Sequence, residues 1–237
     1  MSLVGLGSAI PVRVRERIRD GARPIALALG RLGFSPDGLT MAGFAISLLA
    51  SGAAALEAWL AAGIVSLLGA VFDLFDGSLA RATGRTSRFG AFLDSSVDRA
   101  GEAAVYVGIV TGCAAAGFAL GAVLAGAAMA SAFLVSYVRA RAEGLGFAAP
   151  LGMAAVGLAP RELRVVLLGI GLIATGLAGG VGPGDLILGR QGAVQPAPHG
   201  AIWLAATLAL IAILSTLTVL QRIAHVRRQA AKEDQPS

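Results

Sequence analysis

The sequence has few charged side chains and only one cysteine. Of its 237 residues, 14% are charged and 56% are hydrophobic, whereas soluble domains have about 25% charged residues. A water-soluble globule is therefore not expected. With Cys113 as the only thiol, neither a disulfide framework nor a thiolate metal cage can form within the chain. Residues 1–20 lack an apolar core followed by a small-residue cleavage site, so we expect no secretory signal peptide.

Long apolar stretches predict a polytopic helical membrane protein. Helices satisfy their own backbone groups where no water is present, and about 20 apolar residues cross a bilayer. The 33 glycines suit close packing between membrane helices. We predict an all-α fold with a single domain over residues 1–237 and a six-helix bundle over 38–222. The six transmembrane helices are predicted at roughly 38–57, 62–81, 92–115, 119–140, 163–182 and 200–222.

The segments that flank this bundle are polar or basic. In residues 9–33, an apolar stripe runs at helical spacing, with arginines off the stripe. This pattern predicts an amphipathic helix in the membrane interface, where arginines meet anionic headgroups. A disordered basic leader is the alternative, because "VRVRERIR" also alternates as a strand would. Residues 223–237 are predicted to form a flexible cytoplasmic tail.

Lysine and arginine lie almost entirely on one side of the predicted topology. Of 19 such residues, only Arg190 falls on the opposite face. The positive-inside rule therefore places both termini and the 81–92 loop in the cytoplasm of a multi-pass protein in the cell membrane. The net charge of +5 reflects this orientation, and no nucleic-acid partner is expected.

Four aspartates stand between the second and third predicted spans. Asp73 and Asp76 are three residues apart at the end of one helix, and Asp94 and Asp98 are four apart at the start of the next, so each pair shares a helix face. Hard divalent cations would relieve the repulsion between these carboxylates, and four carboxylates suit a two-metal site for displacement at phosphorus. The alternative is a solvated charged loop in which they pair with Arg81, Arg85, Arg88 and Arg99.

These residues resemble the signature of the CDP-alcohol phosphotransferases. The pattern reads Asp73-x2-Asp76-Gly77-x2-Ala80-Arg81-x8-Gly90-x3-Asp94-x3-Asp98, with every fixed position filled. Members of this family move a phosphatidyl-type group from a CDP-linked lipid to an alcohol and release CMP. Six spans, an N-terminal interfacial helix and cytoplasmic chemistry also match the family.

The resemblance implies a role for each residue of the signature. Asp73, Asp76 and Asp94 would be metal ligands, while Asp98 would complete the metal site and take the proton from the attacking hydroxyl. Two Mg²⁺ ions are implied, with Mn²⁺ as a substitute. Glycine and alanine would let the nucleotide approach the backbone, and arginine would hold its phosphates. The implied CDP-binding residues are Thr40, Asp73, Gly77, Ala80 and Arg81.

A second basic cluster bears on the acceptor alcohol. Five arginines stand at the cytoplasmic ends of predicted spans: Arg139, Arg141, Arg161, Arg164 and Arg222. Together they would form a pocket for a phosphorylated acceptor, and positive-inside anchors are the alternative. The stretches "YVRARAEG", "PRELR" and "QR" resemble bacterial phosphatidylinositol-phosphate synthases, whose acceptor is inositol phosphate. That group often has lysine at the Arg139 position, so this chain departs from it there.

The predicted function is Mg²⁺-dependent transfer of a phosphatidyl group from CDP-diacylglycerol to inositol phosphate. Glycerol 3-phosphate is also anionic, which makes phosphatidylglycerophosphate synthase the alternative, and archaeal lipid versions of the chemistry stay open. Membrane prenyltransferases also use aspartate-rich helices but lack the Asp-Gly-x2-Ala-Arg continuation. A transporter would place its charges near the midplane of the bilayer. The family resemblance and small-residue runs such as "LAGAAMASA" further predict a homodimer.

Overall fold

The computed structural model describes residues 21, 24–147, 153, 156–182 and 199–233, and no β-strand occurs among them. The predicted all-α fold is confirmed. A first helix, α1, is described over residues 24–31. The helices that follow are α2 (Pro36–Ala55), α3 (Trp59–Ala82), α4 (Arg88–Ala115), α5 (Ala119–Gly144), α6 (Arg161–Leu177) and α7 (His199–Glu233).

The last six helices coincide with the six predicted spans, and α7 departs most from its predicted end. It continues to Glu233, so residues 223–233 of the predicted tail are helical. At about 1.5 Å per residue, this 35-residue helix is about 50 Å long. A hydrocarbon layer is only about 30 Å thick, so one end of α7 must project beyond it.

Four of these helices are long and apolar enough to cross a membrane: α2, α3, α5 and α7 over His199–Ala231. Helix α4 carries several charged residues in its N-terminal half, and α6 has only 17 residues. Many large apolar side chains are exposed on the helices, among them Leu49, Val123 and Leu177. Exposed apolar surface on this scale is typical of contact with lipid. The chain is a helical membrane protein.

Small residues line many of the helix contacts, and the core also contains large side chains such as Tyr106, Phe118 and Ile109. Buried alanines line the helix contacts, and they include Ala50, Ala54, Ala125, Ala128 and Ala132. Helix α2 packs on α3 and α4, α5 packs on α4 and α7, and α6 packs on α3 and α7. A Cβ atom at Gly108 of α4 would lie 2.2 Å from the Ser51 carbonyl oxygen of α2. Small residues thus allow two helix backbones to approach closely.

Helix α1 is attached to the bundle by a small apolar cluster. Ala26 is fully buried, and Leu29 packs against the buried side chains of Leu39, Phe75 and Leu79. This end of the predicted interfacial segment, 9–33, is therefore helical and in contact with α2 and α3. Residues 9–20, 22 and 23 of that segment lie outside the described residues.

Local sequence signals set the helix ends that flank the four aspartates. Ser35 caps α2 by accepting a hydrogen bond from the Gly38 N–H at 3.0 Å, and Ser87 caps α4 by accepting one from the Gly90 N–H at 2.8 Å. Between α3 and α4, Gly84 has φ +68°, a conformation that side chains disfavour. The chain therefore reverses direction, and the end of α3 lies beside the start of α4.

Candidate active site

The two aspartates of α3 are held by different neighbours. Asp76 is buried, with 5% of its surface exposed. Its Oδ2 accepts a hydrogen bond from Thr40 Oγ1 of α2 at 2.8 Å, and its Oδ1 accepts one from the Gly77 N–H. Asp73 instead binds Arg161, at the start of α6, through a 2.7 Å contact between its Oδ2 and Nη2. The two carboxylates of one helix turn therefore have fixed and separate orientations.

Arg161 also links α3 to α4. Its Nη1 lies 2.8 Å from Oδ2 of Asp98, while its Nη2 holds Asp73. The segment before Arg161 is itself anchored, because Thr218 Oγ1 of α7 accepts hydrogen bonds from the N–H groups of Leu158 and Ala159 at 3.1 and 2.9 Å. One guanidinium group thus forms ion pairs with carboxylates of two different helices.

The four aspartates are close enough for their charges to interact. The charge of Asp94 repels that of Asp76, and the charges of Asp73 and Asp94 both repel that of Asp98. Arg161 attracts Asp94 and Asp98 and offsets part of this repulsion. The site is therefore an acidic cluster in which Arg161 bridges two of the carboxylates.

The donor set of this cluster fits a hard divalent cation. Asp73 and Asp98 already direct carboxylate oxygens at one cationic group, and oxygen ligands are those that Mg²⁺ and Mn²⁺ accept. Across the described part of the chain, no three of these carboxylates are close enough together to ligate one ion as they stand. The residues that would hold metal are the four of the sequence prediction: Asp73, Asp76, Asp94 and Asp98.

A cleft of about 200 Å³ opens on one side of the cluster, between α2, α3 and the start of α4. Asp76 and Asp94 line this cleft. So do four of the five predicted CDP-binding residues, namely Thr40, Gly77, Ala80 and Arg81. The exception is Asp73, which lines a smaller cavity beside Arg161 and Arg164. A Cβ atom at Gly77 would lie 3.2 Å from Nη1 of Arg81. Glycine at this position therefore leaves room for the arginine side chain over the cleft.

A second cavity of about 300 Å³ lies on the other side of the cluster, between α4, α5, α6 and α7. Asp94 and Asp98 line it, together with four of the five predicted acceptor arginines: Arg139, Arg161, Arg164 and Arg222. The fifth, Arg141, is exposed on α5 and does not line it. Asp94 lines both cavities, so the two meet at the aspartate cluster.

The arginines of the second cavity differ in how far they are already engaged. Arg164 is almost fully buried and forms a two-pronged ion pair with Glu102, from Nε to Oε1 and from Nη2 to Oε2, both at 2.9 Å. Arg222 donates to two backbone carbonyls, those of Val156 at 2.9 Å and Val135 at 2.6 Å. Arg139 pairs with Glu143 on the surface of α5 at 3.0 Å. Most of these guanidinium groups are therefore held in place by the fold.

Comparison with known proteins decides the family. A model of the CDP-alcohol phosphatidyltransferase family matches residues 34–228. The chain belongs to this family. It is therefore a phosphotransferase of phospholipid biosynthesis.

Relatives cover nearly the whole chain. An archaetidylinositol phosphate synthase of Pyrococcus horikoshii is 32% identical over 217 residues, which are 92% of this chain and 96% of the relative. A phosphatidylinositol phosphate synthase of Mycobacteroides abscessus is 35% identical over 215 residues, 90% of this chain and 86% of the relative. These similarities agree with the resemblance found in the sequence.

Solved structures of another relative share the fold. The phosphatidylinositol phosphate synthase of Mycobacterium tuberculosis with CDP-DAG bound superposes with a TM-score of 0.70 at 25% identity, covering 91% of this chain and 98% of that one. The same enzyme in complex with manganese and citrate gives a TM-score of 0.70 at 26% identity, covering 91% and 93%.

Two residues of this phosphotransferase site were missed from sequence. The sequence pattern predicts no role for Glu102 and includes Arg99 only in the alternative of a charged loop. The structure places Arg99 on the wall of the second cavity, 3.9 Å from Glu102, which pairs with Arg164. The signal was the spacing of Asp94, Asp98 and Glu102, which repeat every four residues on one helix face. An acidic residue one turn after Asp98, inside a predicted span, indicates a buried cationic partner.

Proposed function

We propose that this enzyme transfers a phosphatidyl group from CDP-diacylglycerol to the hydroxyl of inositol phosphate, giving phosphatidylinositol phosphate and CMP. The observation that supports the proposal most is the placement of Asp94 on both cavities. A cleft with the residues of the CDP-alcohol signature and a cavity rich in arginine meet at one aspartate cluster. A transfer between two bound substrates needs this kind of junction.

The first cavity is assigned to the donor. Arg81 offers its guanidinium group to the diphosphate of the nucleotide, because a planar fork of donors matches phosphate oxygens. Thr40 keeps Asp76 oriented on the wall of this cleft through the 2.8 Å hydrogen bond. The CDP-DAG bound to the Mycobacterium tuberculosis relative supports the same donor here.

The second cavity is assigned to the acceptor, and Asp98 on its wall is assigned as the general base. The acceptor hydroxyl attacks the phosphorus next to the diacylglycerol moiety, and its proton passes to the Asp98 carboxylate. The bond between that phosphorus and the oxygen bridging to CMP breaks, and CMP leaves with the electron pair. Arginines that line the same cavity bind the phosphate of the acceptor.

Two Mg²⁺ ions, replaceable by Mn²⁺, are assigned to Asp73, Asp76, Asp94 and Asp98. When bound, such ions neutralise charge on the phosphoryl oxygens and on the departing nucleotide. Support comes from the oxygen donor set itself and from the manganese in the structure of the relative.

Inositol phosphate is preferred to glycerol 3-phosphate as the acceptor because several relatives are inositol phosphate enzymes. They include bacterial phosphatidylinositol phosphate synthases and an archaetidylinositol phosphate synthase. The latter relative acts on an archaeal lipid, so the test includes an ether-linked donor. The alternative acceptor, glycerol 3-phosphate, has no support of this kind among the relatives described above.

The assay is CMP release by the purified enzyme in lipid nanodiscs, with Mg²⁺ and CDP-diacylglycerol. Each acceptor is supplied separately: inositol 1-phosphate, free inositol and glycerol 3-phosphate. CDP-archaeol replaces CDP-diacylglycerol in a parallel series. We expect turnover with inositol 1-phosphate and CDP-diacylglycerol at least tenfold above every other combination. Equal activity with free inositol, a preference for glycerol 3-phosphate or a preference for CDP-archaeol would each overturn the corresponding part of the proposal.

We further propose a six-span topology in the plasma membrane, with α4 and α6 as the remaining spans and both termini and the active site in the cytoplasm. The distribution of lysine and arginine supports this orientation. A membrane-impermeant thiol reagent tests it, because the native Cys113 is buried. In inverted vesicles, R88C should react and L56C should not, while intact cells should give the reverse. Labelling of both from one side would contradict the topology.

A homodimer is also proposed, on the basis of the small-residue runs of α5. The same runs already pack inside the protomer, where Ala125, Ala128 and Ala132 are buried. The mass of the protein in nanodiscs and in mild detergent tests the dimer. A monomer in both would refute it.

A further inference from the structure

Arg99 is the least satisfied cation on the wall of the second cavity. Its Nη1 is buried and has no hydrogen-bond partner among the described residues. The nearest carboxylate oxygen, Oε2 of Glu102, is 3.9 Å away, too far for a hydrogen bond. A buried donor left without a partner is costly. A quarter of the side chain is exposed, and the residue lines the cavity.

The other arginines of this cavity already have strong partners. Arg161 binds two aspartates, and Arg164 is fixed by Glu102. Arg139 pairs with Glu143, and both side chains are exposed. Arg222 has only neutral carbonyl partners. Within the described residues, Arg99 and Arg222 are therefore the two cations of this wall with no hydrogen-bonded carboxylate.

Glu102 holds the two cations of α4 and α6 together. Its Oε2 accepts from Nη2 of Arg164 at 2.9 Å and lies 3.9 Å from Nη1 of Arg99. The carboxylate of Glu102 thus lies near two guanidinium groups, but it accepts hydrogen bonds only from Arg164. Arg99 is attracted by the charges of Glu102 and Asp98, but its buried Nη1 has no hydrogen-bond partner among the described residues.

We propose that Arg99 binds the phosphate of the acceptor directly, with Glu102 as the residue that positions it and with Arg164 as its structural support. The inference rests on the assignment of the second cavity to a phosphorylated acceptor. A phosphate dianion supplies the acceptor atoms that Arg99 lacks, and the guanidinium fork suits them. Because Arg99 and Asp98 both line the second cavity, a phosphate bound by Arg99 keeps the acceptor in the cavity of the proposed base.

The test uses the full-length enzyme in nanodiscs and the variants R99Q and R99K, with R88Q as the matched control. Arg88 lies exposed at the start of the same helix and away from the second cavity. Two quantities are measured: the KM values for inositol 1-phosphate and CDP-diacylglycerol, and the Kd for inorganic phosphate by calorimetry. For R99Q we expect the acceptor KM and the phosphate Kd to rise about tenfold or more, with the KM for the CDP-lipid unchanged. R88Q should resemble the wild type.

An acceptor KM and a phosphate Kd of R99Q within about twofold of those of R88Q would overturn the inference. A water molecule would then be the partner of Nη1 of Arg99. If R99Q does not fold, R99K decides, because lysine keeps the charge but lacks the fork. A rise of about threefold or more in its phosphate Kd supports the inference, and a wild-type value refutes it. Failure of the wild type to use inositol 1-phosphate would contradict the proposed function alone. The titration would still measure the effect of Arg99 on the Kd for inorganic phosphate.

The positioning role of Glu102 has a separate readout. E102Q keeps the volume of the side chain but removes the charge that lies between Arg99 and Arg164. We expect a raised acceptor KM with an unchanged KM for the CDP-lipid and little change in kcat at saturating acceptor. A purely structural residue would instead lower the thermal unfolding midpoint and leave both KM values of the folded fraction unchanged, which would contradict the role.

Discussion

The guanidinium group of Arg161 lies 2.8 Å from the carboxylate of Asp98 and joins the start of α6 to the first turns of α4. The same group holds Asp73 on α3. Three helices therefore meet at one ion-pair network, at the point where the two cavities adjoin. The packing of α6 against the bundle is coupled in this way to the charges of the proposed metal ligands.

Removal of divalent metal should abolish turnover. The four aspartates repel one another, and Arg161 offsets only part of their charge, so we expect added cations to bind tightly there. Activity should be lost in excess EDTA and restored by Mg²⁺ or Mn²⁺. The thermal unfolding midpoint should also rise with added metal, because a ligand of the folded state stabilises it. Full activity in excess EDTA would end the two-metal proposal.

Replacement of Asp98 by Asn should separate binding from chemistry. Asparagine keeps the size and one coordinating oxygen but cannot accept the proton of the attacking hydroxyl. We expect kcat to fall by about 100-fold or more, with the affinity for CDP-diacylglycerol largely retained, since Asp98 faces the other cavity. Near-normal kcat in D98N would place the base elsewhere.

The aspartate pairs could be predicted because their arrangement is local. Spacing of three and four residues fixes a shared helix face, and the glycines between the pairs allow the reversal that the structure shows at Gly84. The contacts of Arg161 and of Glu102 could not be predicted in this way. They depend on how α6 packs against α3 and where α4 lies beside it, and a helical pattern in one segment does not specify its neighbours.

The predicted acceptor arginines also show what a sequence pattern leaves open. Arg139 and Arg141 are two residues apart, about 200° around an α-helix, so both cannot face one cavity. Only Arg139 lines it. Arg164 is predicted as a phosphate ligand, yet it is the most buried arginine among the described residues and pairs with Glu102. The sequence indicates a basic pocket, but it does not show which arginines bind the acceptor and which ones stabilise the pocket.

Close helix packing predicts a steep cost for one small substitution. In G108A the new Cβ would lie 2.2 Å from the Ser51 carbonyl oxygen, so α2 and α4 must separate. We expect a loss of about 1–3 kcal/mol in the free energy of unfolding, seen as a lower unfolding midpoint and a poorer monodisperse yield. The control is G126A on α5, where nothing lies within 4 Å of a new Cβ. Equal stability of the two variants would show that the α2–α4 contact is looser than described.

The hydrogen bond from Thr40 to Asp76 should matter for the donor side alone. T40V keeps the shape of the side chain but removes the Oγ1 donor, 2.8 Å from Oδ2 of the buried carboxylate. A hydrogen bond to a charged group contributes about 1.5–3 kcal/mol. We therefore expect the KM for CDP-diacylglycerol, or the Mg²⁺ concentration for half-maximal activity, to rise about tenfold, with the acceptor KM unchanged. T111V is the control, because Thr111 is exposed and its hydroxyl donates to the Val107 carbonyl of its own helix at 2.9 Å. If T40V and T111V have the same donor KM and metal requirement, Thr40 does not orient Asp76 for catalysis.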